Sequence, residues 1–270
     1  MSHLAAGPAD LRLLCEEVQE LSMRTGKFIR EERKKVKRSD IEEKSFNNLV
    51  SYVDKTAEKM FVEGLKALLP EAGFISEEDA SLPQSETLNW VIDPLDGTTN
   101  FLHGVPCFAT SVGLVSGNEP VLGVIYEINL DECFYAWKNG GAWMNGERIS
   151  VSETKQLSHS LVGTGFPYYD HAKLDNYIAL FTELTKTTRG IRRPGSAATD
   201  IAYVACGRFD AFYEYGLHAW DVAAGAIIVR EAGGIVSDFR GGNDFIHGKE
   251  FLCGTKDVHA QLLGMIRKYF

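Results

Sequence analysis

"NWVIDPLDGTTNF", residues 89–101, sets two aspartates three positions apart at the end of an apolar run and directly before Gly-Thr-Thr. Leu88, Trp90, Val91 and Ile92 read as a buried strand. Pro94 removes an amide and stiffens the turn, and Gly97 permits a close backbone approach. Thr98 and Thr99 suit the first positions of a helix, whose free amides attract anions. The stretch therefore predicts a strand that delivers Asp93 and Asp96 to a helix start. Two carboxylates roughly 4 Å apart repel by about 1 kcal/mol in water and about 4 kcal/mol at an intermediate dielectric. Such a pair needs a shared proton, a basic partner or a cation. No Arg or Lys lies nearby in sequence, and all-oxygen ligands suit a hard ion such as Mg²⁺.

Two other readings of the same residues compete. Phosphatases of the haloacid-dehalogenase type carry Asp-x-Asp-Gly-Thr, with a nucleophilic Asp and an acid–base Asp two positions on. Here the spacing is three, so those roles do not fall on Asp93 and Asp96. The plainest alternative is a helix-capping Asp followed by a turn Asp.

Composition narrows the class. The 270 residues suffice for one large domain or two halves sharing a core, and 44% hydrophobic with 24% charged residues is a globular composition. No stretch approaches the roughly eighteen apolar residues of a membrane helix, so no membrane role is expected. "MSHLAAGPADLRLLCEEV" has no basic segment followed by an apolar core, and the five cysteines are scattered without a CxxC. Both features point to a cytoplasmic protein. The net charge of -9 argues against nonspecific nucleic-acid binding. The basic "RKKVKR" (33–38) is flanked by acids and reads as a solvated, self-paired surface.

Along the chain, residues 8–35 read as one amphipathic helix, with Leu11, Leu14, Val18, Leu21 and Ile29 on one face. "NNLVSYVDKTAEKMFVEGLKALLP" predicts a short extended piece and a second helix ending near Pro70, and "GFISEEDA" a strand running into an acidic loop. Residues 108–137 alternate and turn as an antiparallel meander. From about residue 152 the pattern changes to alternating strands and helices. "SLVGTGF", "RGIRRPGS", "FDAFYEYGL" and "GIVSDF" are strand or loop candidates, and "AATDIAYVACG" and "DVAAGAIIVREAGG" are helical. The expected division is a helix-plus-sheet half at 1–150 and an alternating half at 151–270, within one unit.

"DPLDGTTNF" (93–101) and "WDVAAGAIIVREAGG" (220–234), with "GFISEE" (73–78), "GSAATD" (195–200) and "YEYGLHAWD" (213–221), resemble the inositol monophosphatase family of Mg²⁺-dependent, lithium-sensitive phosphomonoesterases. The likeness covers nearly the whole chain in the family's order, with Ser76 in place of a glycine. It implies an α/β sandwich of alternating helix and sheet layers, a homodimer, and two or three Mg²⁺ ions at a site between the halves. It also implies a small phosphate ester as substrate, most simply inositol 1-phosphate. Fructose 1,6-bisphosphate, histidinol phosphate, NADP and 3′-phosphoadenosine nucleotides remain as alternatives.

By the same resemblance, Glu77, Asp93 and the Leu95 carbonyl hold one ion, and Asp93, Asp96 and Asp221 another. Glu77 and Thr98 activate the attacking water, and Asp54 holds the Thr98 hydroxyl. The Gly97, Thr98 and Thr99 amides take the phosphate. Glu214, Ala197, Asp93 and Asp221 meet the substrate, and Lys44 touches a water at the metal site. Asp200 stands where animal members carry an uncharged residue. His103 and His218 read as structural hydrogen-bonders, Trp220 as packing that aims Asp221, and Cys206 as core. A non-catalytic regulatory protein keeping the metal site is a separate hypothesis, opposed by the presence of Glu77, Asp54 and Thr98.

Overall fold

A computed structural model describes residues 8–37, 42–45, 48–167 and 171–270. The first amphipathic pattern forms helix α1 (Pro8–Glu32), which ends three residues before the expected position and buries Cys15, Val18, Leu21 and Ile29. The extended piece is a hairpin of β1 (Glu42–Ser45) and β2 (Asn48–Val50). Ser51 then starts α2 (Tyr52–Leu68) through a capping box. Its hydroxyl accepts from the Val53 amide, and its own amide donates to the Asp54 carboxylate.

A seven-stranded sheet follows. Its strands are β3 (Gly73–Ser76), β4 (Leu88–Asp96), β5 (Ala109–Ser116), β6 (Glu119–Glu127), β7 (Glu132–Trp137), β8 (Ala142–Met144) and β9 (Glu147–Ile149). They lie side by side in chain order, with β3 parallel to β4 and every later pair antiparallel. The short α3 (Thr98–His103) leaves the end of β4.

The second sheet has five strands: β10 (Leu161–Thr164), β11 (Gly190–Arg192), β12 (Ala211–Tyr215), β13 (Ile235–Ser237) and β14 (Glu250–Gly254). Their order is β11-β10-β12-β14-β13, parallel across the first three and antiparallel at β14. The helices of this region are α4 (Leu174–Thr187), α5 (Ala197–Ala205), α6 (Ala219–Glu231) and α7 (Lys256–Ile266). Strands β8, β9 and β14 and helices α4 and α7 add to the elements expected from sequence. The α4 pattern is short, and only Tyr177, Leu180 and Leu184 carry its buried stripe.

Five layers result. Helices α1 and α2 cover one face of the seven-stranded sheet, and α5 and α6 fill the space between the two sheets. Helices α4 and α7 cover the outer face of the five-stranded sheet. Burial explains the composition of α6: Val222 to Val229 are all buried, and a helix packed on both sides has no polar face to keep. The fold is the expected α/β sandwich of alternating helix and sheet layers.

Candidate active site

In an unbroken strand, residues three apart point to opposite faces, because side chains alternate. The pairing of β4 with β5 changes this. Asp93 lies opposite Ser111 and Asp96 opposite Ala109, so three steps on β4 meet two on β5. This bulge inserts one residue, at the proline-containing turn, and restores both aspartates to the same side. Asp221, the third residue of α6, joins them from the layer beneath. One carboxylate oxygen from each of Asp93, Asp96 and Asp221 lies within 4.8 Å of the other two.

Each carboxylate is held from the protein side. Asp93 Oδ1 accepts from the Leu95 amide at 2.9 Å. Asp96 Oδ2 accepts from Ser196 Oγ at 2.5 Å and from the Ala198 amide at 2.7 Å, at the start of α5. Asp221 Oδ2 accepts from the His218 amide at 2.7 Å. Ser111 Oγ donates to the Trp220 carbonyl at 3.0 Å, which ties β5 to the first turn of α6. The Trp220 indole in turn stacks flat on His218, with ring centres 4.6 Å apart. Sequence reasoning did not single out Ser196 and Ser111. Ser196 had a legible signal, a helix-capping serine before Ala-Ala, whereas Ser111 reads only as a strand residue.

Burial of these acids is costly in their charged form. It raises Asp93 and Asp221 well above the ordinary carboxylate range, and neighbouring acids push further: Glu77, Asp96 and Asp221 on Asp93, and Asp96, Glu77 and Glu214 on Asp221. Asp96 is also raised by burial, although the Ser196 hydroxyl and the α5 amides pull it back. Burial lifts Glu214 to about 8 and Asp200 well above its usual value, with Arg193 opposing both shifts. One Asp200 carboxyl oxygen is buried without a hydrogen-bond partner among the described residues. Oxygen donors alone, a concentration of negative charge, two buried carboxylates (Asp93 and Asp96) and a half-buried third (Asp221) fit a hard divalent cation.

The second assembly adjoins the first. Thr98 Oγ1 lies 3.0 Å from Asp54 Oδ1 and 2.9 Å from the Leu95 carbonyl, and its single proton donates to one of these acceptors at a time. Asp54 is buried. Burial raises its pKa, and the hydrogen bonds from Ser51 and Thr98 oppose that rise. Gly97 precedes α3 at φ 89°, and a Cβ there would sit 3.0 Å from the Cys107 carbonyl. Only glycine meets both demands without strain. Thr99 is exposed on the first turn of α3.

The remaining candidates are more dispersed. Glu77 follows the end of β3. It is not one of the 4.8 Å trio, but its charge acts on both Asp93 and Asp221. Ala197 opens α5 beside the groups that hold Asp96. Glu214 lies on β12, and its carboxyl packs so closely on Gly165 that a methyl group there would collide with it. Lys44 falls in β1, and its side chain lies outside the described residues.

Comparison with known proteins shows which family the chain belongs to. The family model described as "Inositol monophosphatase family" matches residues 10–269. The chain is 42% identical to the Nus factor SuhB of Pseudomonas aeruginosa over 234 residues, covering 85% of this chain and 86% of that protein. It is 37% identical to the inositol-1-monophosphatase of Mesorhizobium japonicum over 248 residues, covering 92% and 93%. The crystal structure of extragenic suppressor protein suhB from Bartonella henselae superposes with a TM-score of 0.90 at 36% identity, covering 96% of this chain and 100% of that one. With a family match over nearly its whole length, the chain belongs to the inositol monophosphatase family.

Proposed function

We propose that the protein hydrolyses a small phosphomonoester in a Mg²⁺-dependent reaction, with inositol 1-phosphate as its substrate. The observation that carries this reading is the convergence of Asp93, Asp96 and Asp221 on one face, directly beside the Thr98–Asp54 hydrogen bond. Glu77, Asp93 and the Leu95 carbonyl would hold one Mg²⁺, and Asp93, Asp96 and Asp221 a second. Bound there, the ions would neutralise the cluster and the phosphate, acidify a water and stabilise the leaving alkoxide.

The chain's own groups do the positioning. Thr98, donating to Asp54, presents a lone pair to the attacking water, and Glu77 takes that water's proton. The Gly97, Thr98 and Thr99 amides at the start of α3 hold phosphate oxygens. Glu214, the Ala197 backbone, Asp93 and Asp221 meet substrate hydroxyls, and Lys44 contacts a water near the ions. Water attacks phosphorus in line, the ester P–O bond breaks, and the alkoxide leaves with a proton, so no enzyme–phosphate bond forms. The site then lies between a half at 1–150, which carries most of the metal ligands, and a half at 151–270. A cytoplasmic homodimer completes the reading.

A second reading, a non-catalytic regulatory role, draws support from the Nus factor name of several relatives. The retained Glu77, Asp54 and Thr98 favour catalysis. Phosphate release from inositol 1-phosphate, fructose 1,6-bisphosphate, histidinol phosphate, 3′-phosphoadenosine 5′-phosphate and NADP separates the two. Each assay would be run with Mg²⁺, with EDTA, and with Mg²⁺ plus lithium. Mg²⁺-dependent, lithium-inhibited turnover that prefers inositol 1-phosphate is the expected result. Preference for another ester would move the substrate and keep the mechanism. Silence across the panel, with Mg²⁺ still bound, would favour the regulatory reading.

A further inference from the structure

Helix α2 carries two buried carboxylates one turn apart, Asp54 and Glu58, and the function proposed above uses only the first. Residues at i and i+4 share a helix face, so both acids point the same way. Asp54 receives the Thr98 hydroxyl. Glu58 receives the turn that carries Glu77. A single oxygen, Glu58 Oε1, accepts from the Ser76 hydroxyl, from the Glu78 amide at 3.1 Å and from the Asp79 amide at 3.3 Å. These donors bracket Glu77 on both sides. The Glu77 amide itself donates to the Ile92 carbonyl at 3.3 Å, one residue before Asp93. The backbone of Glu77 is thus tied to α2 through its neighbours and to β4 through itself.

We propose that Glu58 is a positioning residue that clamps the Ser76–Asp79 turn, so that Glu77 faces Asp93 and Asp221. Helix α2 then acts as one rail for both partners of the water-activating pair, through Asp54 to Thr98 and through Glu58 to Glu77. A carboxylate suits the task. It can accept from three donors at once, and without it the Glu78 and Asp79 amides lose their partner at a half-buried turn. The proposal rests on the reading of Glu77 as a metal and water ligand.

The test is binding of Mn²⁺, used alone as a stand-in for Mg²⁺ and counted by electron paramagnetic resonance, with the melting temperature of the EDTA-treated protein measured alongside. Glu58→Ala should weaken Mn²⁺ binding by about 10- to 100-fold, the usual cost of losing a group that orients a ligand. Glu58→Gln, which keeps an acceptor oxygen and the shape, should recover part of that loss. A folded Glu58→Ala variant with wild-type Mn²⁺ affinity would overturn the proposal. So would a loss that Glu58→Gln does not reduce. If Glu58→Ala does not fold, Ser76→Ala decides: weaker Mn²⁺ binding at an unchanged melting temperature supports the clamp, and unchanged binding overturns it. Asp93→Asn serves as the control for the underlying reading. If it binds Mn²⁺ like the wild type, the metal assignment itself fails; if it alone loses binding while the Glu58 variants do not, only the clamp fails.

Discussion

Burial and three neighbouring acids act on Asp93 together. Replacing it with Asn removes one of the repelling charges at nearly constant shape. Asp93→Asn should therefore abolish turnover and the stabilisation by Mg²⁺, yet raise the melting temperature of the metal-free protein. Calorimetry with and without EDTA checks both signs, and an unchanged response to Mg²⁺ would contradict the assignment. Thr98→Ala has a different expected profile. In the proposed mechanism the hydroxyl belongs to the water relay, so kcat should fall by about 10²- to 10⁴-fold. Mg²⁺ affinity should change much less, and equal losses in both would remove Thr98 from the relay. At this scale the sequence was informative: Asp93, Asp96, Thr98 and Asp221 were recognisable from motif and residue type. Glu58 and Ser111 were not, because a helical Glu and a strand Ser acquire their partners only from other elements.

Between elements, α6 packs closely on the seven-stranded sheet. Gly123 on β6 faces Ala224, whose Cα would lie 2.8 Å from an added Cβ. The small residues of "VAAGA" let the helix sit this low, and the position of the helix sets that of Asp221 at its start. Gly123→Ala should therefore destabilise the fold by about 1–3 kcal/mol through overpacking. It should also weaken Mg²⁺ binding, because α6 must shift outward. Urea unfolding together with a Mg²⁺ titration checks this, and a stable variant of normal affinity would show that the helix has slack. The hydrophobic, small-residue character of α6 was visible in sequence. The glycine that it packs against was not, since pairing between a helix and a distant strand leaves no periodic mark.

For the whole molecule, the acid cluster makes stability depend on pH and metal together. The folded pKa values of Asp93, Asp96 and Asp221 lie above the unfolded carboxylate range. The native state therefore binds more protons than the unfolded state between those limits, and stability falls as pH rises through that window. Glu214, lifted to about 8, adds a contribution of the same sign. The melting temperature gained on adding Mg²⁺ should accordingly be larger at about pH 8 than at about pH 6. The expected scale is roughly 2–4 °C for each kcal/mol of difference. Differential scanning calorimetry at the two pH values reads it directly, and a larger gain at the lower pH would show that these acids do not share the metal site.

The sequence by itself determined the family, the order of most elements and the acids of the candidate site, because motif spacing and apolar periodicity are local properties of the chain. Only the tertiary structure decided that the three aspartates share one face. Asp93 and Asp96, three apart, would face opposite ways on a regular strand, and the bulge opposite Ser111 and Ala109 reverses that. Only the tertiary structure, likewise, brought Asp221 from α6 and Glu58 from α2 to opposite sides of the same strand ends. Contacts between residues so far apart in the chain arise from how the layers stack, and local propensity carries no record of that stacking.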